Sequence, residues 1–122
     1  METLKRKMVL STGQKVMVLY ISKEKDRRTI AIVRDTAKLA DNHLSELMDV
    51  YFPATIYSRR ISERIDMKDY YRAVAKCCPE DTWNTEEGIA VAEAKIRAKL
   101  EGAIKKRKTY AAQLLHSIAD QL

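Results

Sequence analysis

The chain has 122 residues, of which 46% are hydrophobic and 33% are charged, and its formal net charge at pH 7 is +6. This length and composition predict one globular domain, residues 1–122, with its own core. No apolar run is long enough for a signal peptide or a membrane span, so we expect a cytosolic protein without a membrane partner. The positive charge favours anionic partners such as nucleic acid, nucleotides or an acidic protein, although solubility alone explains a modest excess.

The N-terminal part of the chain predicts a run of β-strands. Residues 7–10, 15–21 and 29–34 have strand character, and residues 11–13 carry a turn signal between the first two. The strand at 15–21 is apolar almost throughout, which predicts that both of its faces are covered. The charged loop at 23–28 is expected to be solvated.

The middle of the chain predicts a helix and two further strands. Asp35 and Thr36 are good N-cap residues for a helix to about residue 51, and Pro53 ends that segment. Residues 54–61 and 70–77 then have strand character. With the helical C-terminal third, these elements predict an α+β fold. We expect an antiparallel sheet of about four strands with an intervening helix, followed by two C-terminal helices or one long kinked helix.

Two apolar stripes run along the helical segment from residue 85 to residue 122. The first is expected to cover the sheet, and the second predicts self-association into a homo-oligomer. Gly102 and the basic run at 105–108 separate them. In a symmetric assembly Lys105 and Arg107 would converge into an anion site, and the alternative is a solvated helix face. The stripes consist of Ile89, Ala92, Ile96, Leu100 and Ala103, and of Ala111, Leu114, Leu115, Ile118 and Leu122.

The turn at residues 77–88 joins the sheet to this helix. Asn84 and Glu87 have the spacing of a capping box, in which Asn84 accepts from the Glu87 backbone N–H and the Glu87 side chain reaches back. Trp83, the only tryptophan, precedes the cap. It either seals the corner between strand and helix as part of the core or offers a stacking surface for a base.

Arginine and tyrosine share faces in two of the predicted strands. Tyr57 alternates onto the same face as Arg59, and Tyr70 onto the same face as Arg72. Such pairs can bind phosphate and stack a base, although they are also common on ordinary sheet surfaces.

The sequence contains no recognisable set of catalytic or metal-binding residues. Cys77 and Cys78 are adjacent, a geometry that rarely forms a disulfide, and neither histidine is spaced from them as a metal ligand. A phosphate-binding glycine loop, a nucleophile elbow and a metalloprotease motif are all missing. We therefore expect a binding protein without metal or cofactor rather than an enzyme.

The turn and the helix after it resemble a known protein family. Residues 75–77 (Ala-Lys-Cys), 79–84 (Pro-Glu-Asp-Thr-Trp-Asn) and 87–88 (Glu-Gly) are similar to the phage anti-Thoeris sponge proteins of the first type described. The resemblance is best over the C-terminal half and covers the strands only in outline. It implies an antiparallel sheet followed by two helices, assembled as a symmetric oligomer of dimers, up to a hexamer.

The resemblance also implies a function in the host cytoplasm. Sponges of this family sequester cyclic ADP-ribose isomers, which are immune signals, without cleaving them, and some are thought to hold cyclic trinucleotides at a separate site. The family's stacking aromatic residue would be Trp83, where a Phe is usual, with Asn84 beside it. Basic residues for the pyrophosphate and late in the helix would correspond to Arg59 or Arg60 and, loosely, to Lys105 or Arg107.

Two other hypotheses remain open. The net charge and the basic run at residues 105–108 also fit a small basic phage protein that binds nucleic acid or inhibits a host protein. A structural assembly protein without a ligand is the third alternative, and in it Trp83 would matter for folding only.

Overall fold

A computed structural model of the chain describes residues 2–36 and 68–120. Within these ranges the strands pair antiparallel in the order β1-β2-β3-β4, and the sheet is followed by one helix. This confirms the predicted α+β fold, and of the two predicted alternatives for the C-terminal part it shows one long helix. The elements are β1 (Glu2–Val9), β2 (Lys15–Lys23), β3 (Arg28–Arg34), β4 (Tyr70–Lys76) and α1 (Thr85–Asp120).

The chain divides into two compact units. One consists of Met1–Asp35 and Asp69–Glu101, and the other of Thr36–Lys68 and Gly102–Leu122. The first unit contains all four strands and the first half of α1. The expectation of one domain over residues 1–122 stays a prediction. The predicted helix that ends near residue 51 and the predicted strand at 54–61 lie outside the described residues.

β1 begins at Glu2, well before the predicted start at residue 7. Its early residues are exposed and give no apolar signal, but each pairs with β2, from Glu2 opposite Ser22 to Val9 opposite Lys15. Backbone pairing therefore determines the length of this strand. Beyond β1, the Gly13 N–H donates to the Leu10 carbonyl at 2.8 Å.

β2 buries one face more fully than the other, as its alternation shows. Val16, Val18 and Tyr20 are buried, whereas Met17 is exposed and Leu19 is half-buried. The second face is covered in part, because Ile21 is half-buried and pairs with Ile30 of β3, which is 6% exposed. Cover on both faces along the whole of β2 stays a prediction.

β4 follows the predicted alternation. Ala73 and Ala75 are buried on the same face as β2's buried residues, and Tyr70, Arg72 and Lys76 are exposed on the other. The register places Ala73 beside Ala31 of β3, which is also fully buried. The small side chains let a helix approach this part of the sheet closely.

α1 covers the buried face with the first apolar stripe. Ile89, Ala92, Ile96 and Leu100 are all buried, which confirms that part of the stripe. The closest approach is at Gly88, where an added Cβ atom would overlap the hydroxyl oxygen of Thr29 on β3. The missing side chain allows the first turn of the helix to lie directly against the sheet.

Polar contacts fasten α1 to β1 and to the turn that follows it. Arg6 forms a two-pronged ion pair with Glu86, with N···O distances of 2.9 and 3.2 Å. After β1, both the backbone N–H and the hydroxyl of Ser11 donate to Glu101, at 2.8 and 2.5 Å. These bonds hold the helix in register along the strand.

Two lysines of α1 cover the backbone of β4, the last strand in the sheet. Lys95 Nζ donates to the Val74 carbonyl at 3.1 Å, and Lys99 Nζ donates to the Arg72 carbonyl at 2.6 Å. Unpaired carbonyls on an edge strand invite pairing with another chain. The two ammonium groups therefore protect this edge.

Candidate functional site

A pocket of about 420 Å³ lies where the end of β4, the following turn and the first turns of α1 meet. Its lining includes Trp83 and Asn84 from the turn and Gly88 and Val91 from the helix. This volume lies within the range of about 300 to 1,000 Å³ that is typical of small-molecule sites. All of the lining residues belong to the first unit.

Trp83 is half-buried and lines this pocket. Part of the indole therefore packs into the corner and part remains accessible from the pocket. Val91, which is 48% exposed, adds apolar surface to the same lining. An accessible indole beside an aliphatic side chain is a surface on which a flat aromatic ligand can stack.

Asn84 caps the helix as predicted. Its Oδ1 accepts a hydrogen bond from the Glu87 backbone N–H at 3.1 Å, and its carbonyl accepts from the Gly88 N–H at 3.1 Å. In the described part of the chain, the Glu87 carboxylate makes no reciprocal bond to Asn84 and instead lines the pocket. The positive end of the helix dipole thus lies at the pocket, together with one free carboxylate.

Thr29 contributes a buried hydroxyl to the lining. The residue is fully buried, and its Oγ1 has no hydrogen-bond partner among the described residues. The hydroxyl faces Gly88, where the absence of a side chain gives it room. A buried hydroxyl without a partner costs stability, and this cost accompanies the close approach of α1 to β3.

Arg27, in the turn between β2 and β3, holds the turn that carries Trp83. Its Nη2 donates to the Cys78 carbonyl at 2.8 Å, to the Asp81 carbonyl and to the Cys77 sulfur at 3.1 Å. In return, the Cys77 N–H donates to the Arg27 carbonyl at 2.9 Å. One guanidinium group therefore holds the backbone of the turn that precedes Trp83.

This contact corrects the expectation that the whole loop at residues 23–28 is solvated. Glu24, Lys25 and Asp26 are exposed, but Arg27 is half-buried and has a positive φ of 52°. Its role is not visible in the sequence, because its partners lie about fifty residues away. A long-range clamp of this kind leaves no local pattern.

Thr29 and Gly88 were not predicted as site residues from the sequence either. A signal for Gly88 was available, since glycine inside a helix lowers helix stability and often marks a close approach of another chain segment. Nothing in the sequence indicated that Thr29 would lie opposite this glycine.

The pocket carries groups of both charges. Lys76 contributes one ammonium group, whereas Asp81 and Glu87 contribute two carboxylates, and all three residues are exposed. Carboxylates accept hydrogen bonds from hydroxyl and amino groups, and an ammonium group binds phosphate. The lining suits a ligand that combines an aromatic ring, hydroxyl groups and a limited negative charge.

The predicted site residues are distributed unevenly. Trp83 and Asn84 are brought together in the pocket. Lys105 is exposed on α1 and Arg107 is only 3% exposed, and both belong to the second unit. Tyr57, Arg59 and Arg60 lie outside the described residues, so their role in a site stays a prediction.

Within residues 2–36 and 68–120, no three His, Cys, Asp or Glu side chains are grouped as metal ligands. The one helix of this described part lacks an apolar stretch sufficient to cross a membrane. The chain matches no protein-family model, no curated protein and no solved structure.

Proposed function

We propose that this chain is a phage anti-defence protein that captures a cyclic nucleotide messenger beside Trp83 and holds it without cleaving it. The observation that carries the proposal is an indole that remains accessible in a pocket of about 420 Å³. The resemblance of the turn to the anti-Thoeris sponge proteins supplies the ligand class, cyclic ADP-ribose isomers. The site of action would be the host cytoplasm.

The lining offers a partner for each part of such a ligand. The adenine ring stacks on Trp83 and contacts Val91, and ribose hydroxyls donate to the carboxylates of Asp81 and Glu87. Stacking and hydrogen bonding of this kind support binding and require no bond to be broken.

The phosphates need more positive charge than the pocket lining provides. Lys76 supplies one ammonium group, and a pyrophosphate is bound best by bidentate arginines. We assign this task to Arg59 or Arg60, with Lys105 or Arg107 as further candidates. A separate site for cyclic trinucleotides would need a basic cluster of its own.

A homo-oligomer belongs to the same proposal. Leu114 and Leu115 of the second apolar stripe remain half-exposed on α1. Half-exposed leucines on a helix favour packing against a second copy, and closed symmetry follows for most homo-oligomers. An assembly would also allow one copy to supply cations to the ligand of another.

The proposal is tested with the single tryptophan as its reporter. Titration with cyclic ADP-ribose isomers should quench Trp83 fluorescence, and heating the complex should release the intact messenger. Trp83→Ala should abolish binding in calorimetry, while Trp83→Phe, which keeps an aromatic face, should retain most of it. Native mass spectrometry of the complex reports the number of subunits and ligands.

Two results would refute capture. One is a messenger that is not depleted by the protein, and the other is recovery of a cleaved product. If Trp83→Ala lowers the melting temperature sharply and Trp83→Phe binds no nucleotide, the indole serves folding and the assembly-protein alternative holds.

A further inference from the structure

The face of the sheet opposite its buried side carries positive charge without any negative charge. Side chains alternate between faces along each strand, and the strand register shows which ones share this face. Eight of them are basic and none is acidic, and we call this surface the cationic face. The eight are Lys5 and Lys7 of β1, Lys15 and Lys23 of β2, Arg28 and Arg34 of β3, and Arg72 and Lys76 of β4.

Three of these cations lie directly opposite one another. Lys23 pairs with Arg28, and Arg28 pairs with Lys76, so that three neighbouring strands form one row of positive charge. Neighbouring strands are about 4.8 Å apart, and like charges in directly opposed positions destabilise a sheet. The row therefore has an energetic cost in the isolated chain.

No carboxylate in the described residues relieves this cost. The ion pairs of the described chain join Arg6 to Glu86 and Arg97 to Glu93 and Glu101, and none involves the cationic face. Glu24 and Asp26 follow Lys23 in the turn, but neither forms an ion pair with the row. Because the repulsion within the row is not balanced by a carboxylate of the described residues, we infer that an anion outside the chain balances it.

The apolar residues at the centre of the cationic face contribute little accessible surface, whereas Val9 and Met17, which pair with lysines in the strands β1 and β2, are 50% and 49% exposed. Ile30 is only 6% exposed, and Leu19, Ile21 and Val74 are half-buried. A protein partner would need an exposed apolar centre, because interface cores are apolar and depleted of charge. The two exposed apolar residues lie toward the end strand β1, and the centre of the face is covered, so the eight cations favour a polyanion over a protein.

One exposed aromatic residue adds a stacking surface. Tyr70 is 58% exposed and lies directly opposite Arg34, in the strand pair β3–β4. Single strands are bound by positive surfaces combined with aromatic side chains on which bases stack. A duplex hides its bases, and its major groove admits a helix or a two-stranded ribbon rather than a four-stranded sheet face.

We propose that the cationic face binds single-stranded nucleic acid through its phosphates, with a base stacked on Tyr70. This function goes beyond nucleotide capture at Trp83 and does not require it, although Lys76 belongs both to the row and to the lining of that pocket. The phosphates would occupy the row formed by Lys23, Arg28 and Lys76 and neutralise its mutual repulsion. Binding would be independent of sequence, because the contacts are made to the backbone.

The test uses the full chain and a fluorescein-labelled oligothymidylate of about 20 nucleotides, long enough for several such contacts. Anisotropy should report binding that weakens as salt rises from about 50 to 200 mM. The variant Lys23→Glu/Arg28→Glu/Arg72→Glu should lose at least about tenfold in affinity and show a shallower salt slope, by about 0.7 per phosphate contact removed. This variant leaves every residue of the Trp83 pocket unchanged.

A matched control carries the same change of charge elsewhere. Lys68→Glu/Lys106→Glu/Lys108→Glu alters three exposed lysines outside the cationic face and should retain the affinity of the unaltered chain. Tyr70→Ala should weaken binding severalfold at unchanged salt slope, and Trp83→Ala should bind the oligonucleotide normally.

Several outcomes would overturn the proposal. They are no binding of the oligothymidylate at low salt, an equal loss in the two triple variants, or a duplex of the same length bound at least as tightly. Tighter binding to polyglutamate or to phosphatidylserine vesicles than to the oligonucleotide would instead indicate an acidic protein or a membrane surface. Failure of nucleotide capture by the Trp83 pocket would leave these measurements unaffected.

Discussion

Single side chains from the sheet shape the pocket more than its helical wall does. Arg27 fixes the turn below Trp83 through carbonyls of Cys78 and Asp81, and Thr29 is part of the lining. Arg27 precedes β3 and Thr29 is the second residue of that strand, so one strand end supplies both the support of the indole and part of the pocket wall. This arrangement keeps the site rigid before a ligand arrives.

Replacing Thr29 tests separately how its hydroxyl affects the free energy of unfolding and the affinity for the nucleotide. Thr29→Val exchanges the hydroxyl without a partner for a methyl group, and we expect the free energy of unfolding to rise by about 1 kcal/mol. Affinity for the nucleotide should stay nearly unchanged, because the hydroxyl is fully buried against Gly88 and a ligand does not reach it. Urea unfolding and calorimetric titration measure the two effects.

A second buried threonine provides the control. The Thr36 hydroxyl donates to the Lys68 carbonyl, so Thr36→Val leaves that carbonyl unpaired. We expect this substitution to lower the free energy of unfolding by about 1 kcal/mol. If Thr29→Val destabilises the protein as much as Thr36→Val, the Thr29 hydroxyl already has a partner in the folded chain and the argument for it fails.

At the scale of elements, the approach of α1 to β3 decides the geometry of the pocket. Gly88 lets the first turn of the helix rest on Thr29, and Asn84 caps the same turn at 3.1 Å from the Glu87 N–H. Gly102 lies in the same helix, but a Cβ atom added there would meet nothing within 4 Å. We therefore expect alanine to destabilise the protein at Gly88 and to stabilise it at Gly102.

Alanine at each glycine tests this difference. Gly88→Ala should lower the free energy of unfolding by about 1–3 kcal/mol, because the overlap with Thr29 outweighs the gain in helix propensity. Gly102→Ala should raise it by about 0.8–1 kcal/mol through propensity alone. Thermal unfolding gives both values.

A double-mutant cycle of Thr29→Ala and Gly88→Ala tests whether the two residues are coupled. Removing the Thr29 hydroxyl should make Gly88→Ala nearly neutral, since the overlapping atom is gone. An equal cost of Gly88→Ala in both backgrounds would show that Thr29 does not set the distance between helix and sheet.

At the scale of the whole molecule, charge is segregated. The chain has a net charge of +6, and eight cations occupy one face of the sheet while the other face is fastened to α1 by carboxylates. Hydrogen bonds from Arg6 lower the pKa of Glu86, and those from Ser11 lower the pKa of Glu101. Both carboxylates therefore favour the folded state when they are ionised.

This linkage predicts loss of stability in acid. For a carboxyl group with a lowered pKa in the folded state, the stabilisation is present above the ordinary value of 4.5 and is lost as the pH falls through the lowered value. We expect the melting temperature to fall below about pH 4.5. Glu86→Gln/Glu101→Gln should make that fall shallower, whereas Glu80→Gln, at an exposed turn position, should leave its slope unchanged. The same slope in all three proteins would show that the two contacts do not contribute.

The sequence by itself determined the elements and the faces they bury. Strict alternation along β4, the apolar stripe from Ile89 to Leu100 and the Asn84 cap are local patterns, and each follows from the geometry of a strand, a helix or a helix end. The accessible Trp83 was one of two alternatives that its position allowed. Local rules are sufficient for features of this kind because all of the contributing residues are close in the chain.

Only the tertiary structure decided how these elements combine. The clamp by Arg27, the contact between Thr29 and Gly88, the full length of β1 and the row of Lys23, Arg28 and Lys76 depend on strand register and on helix position. Register is set by turns and by packing across the sheet, and a shift of one residue would move every side chain to the other face. The pocket and the cationic face therefore arise from pairings between distant segments, which no local pattern specifies.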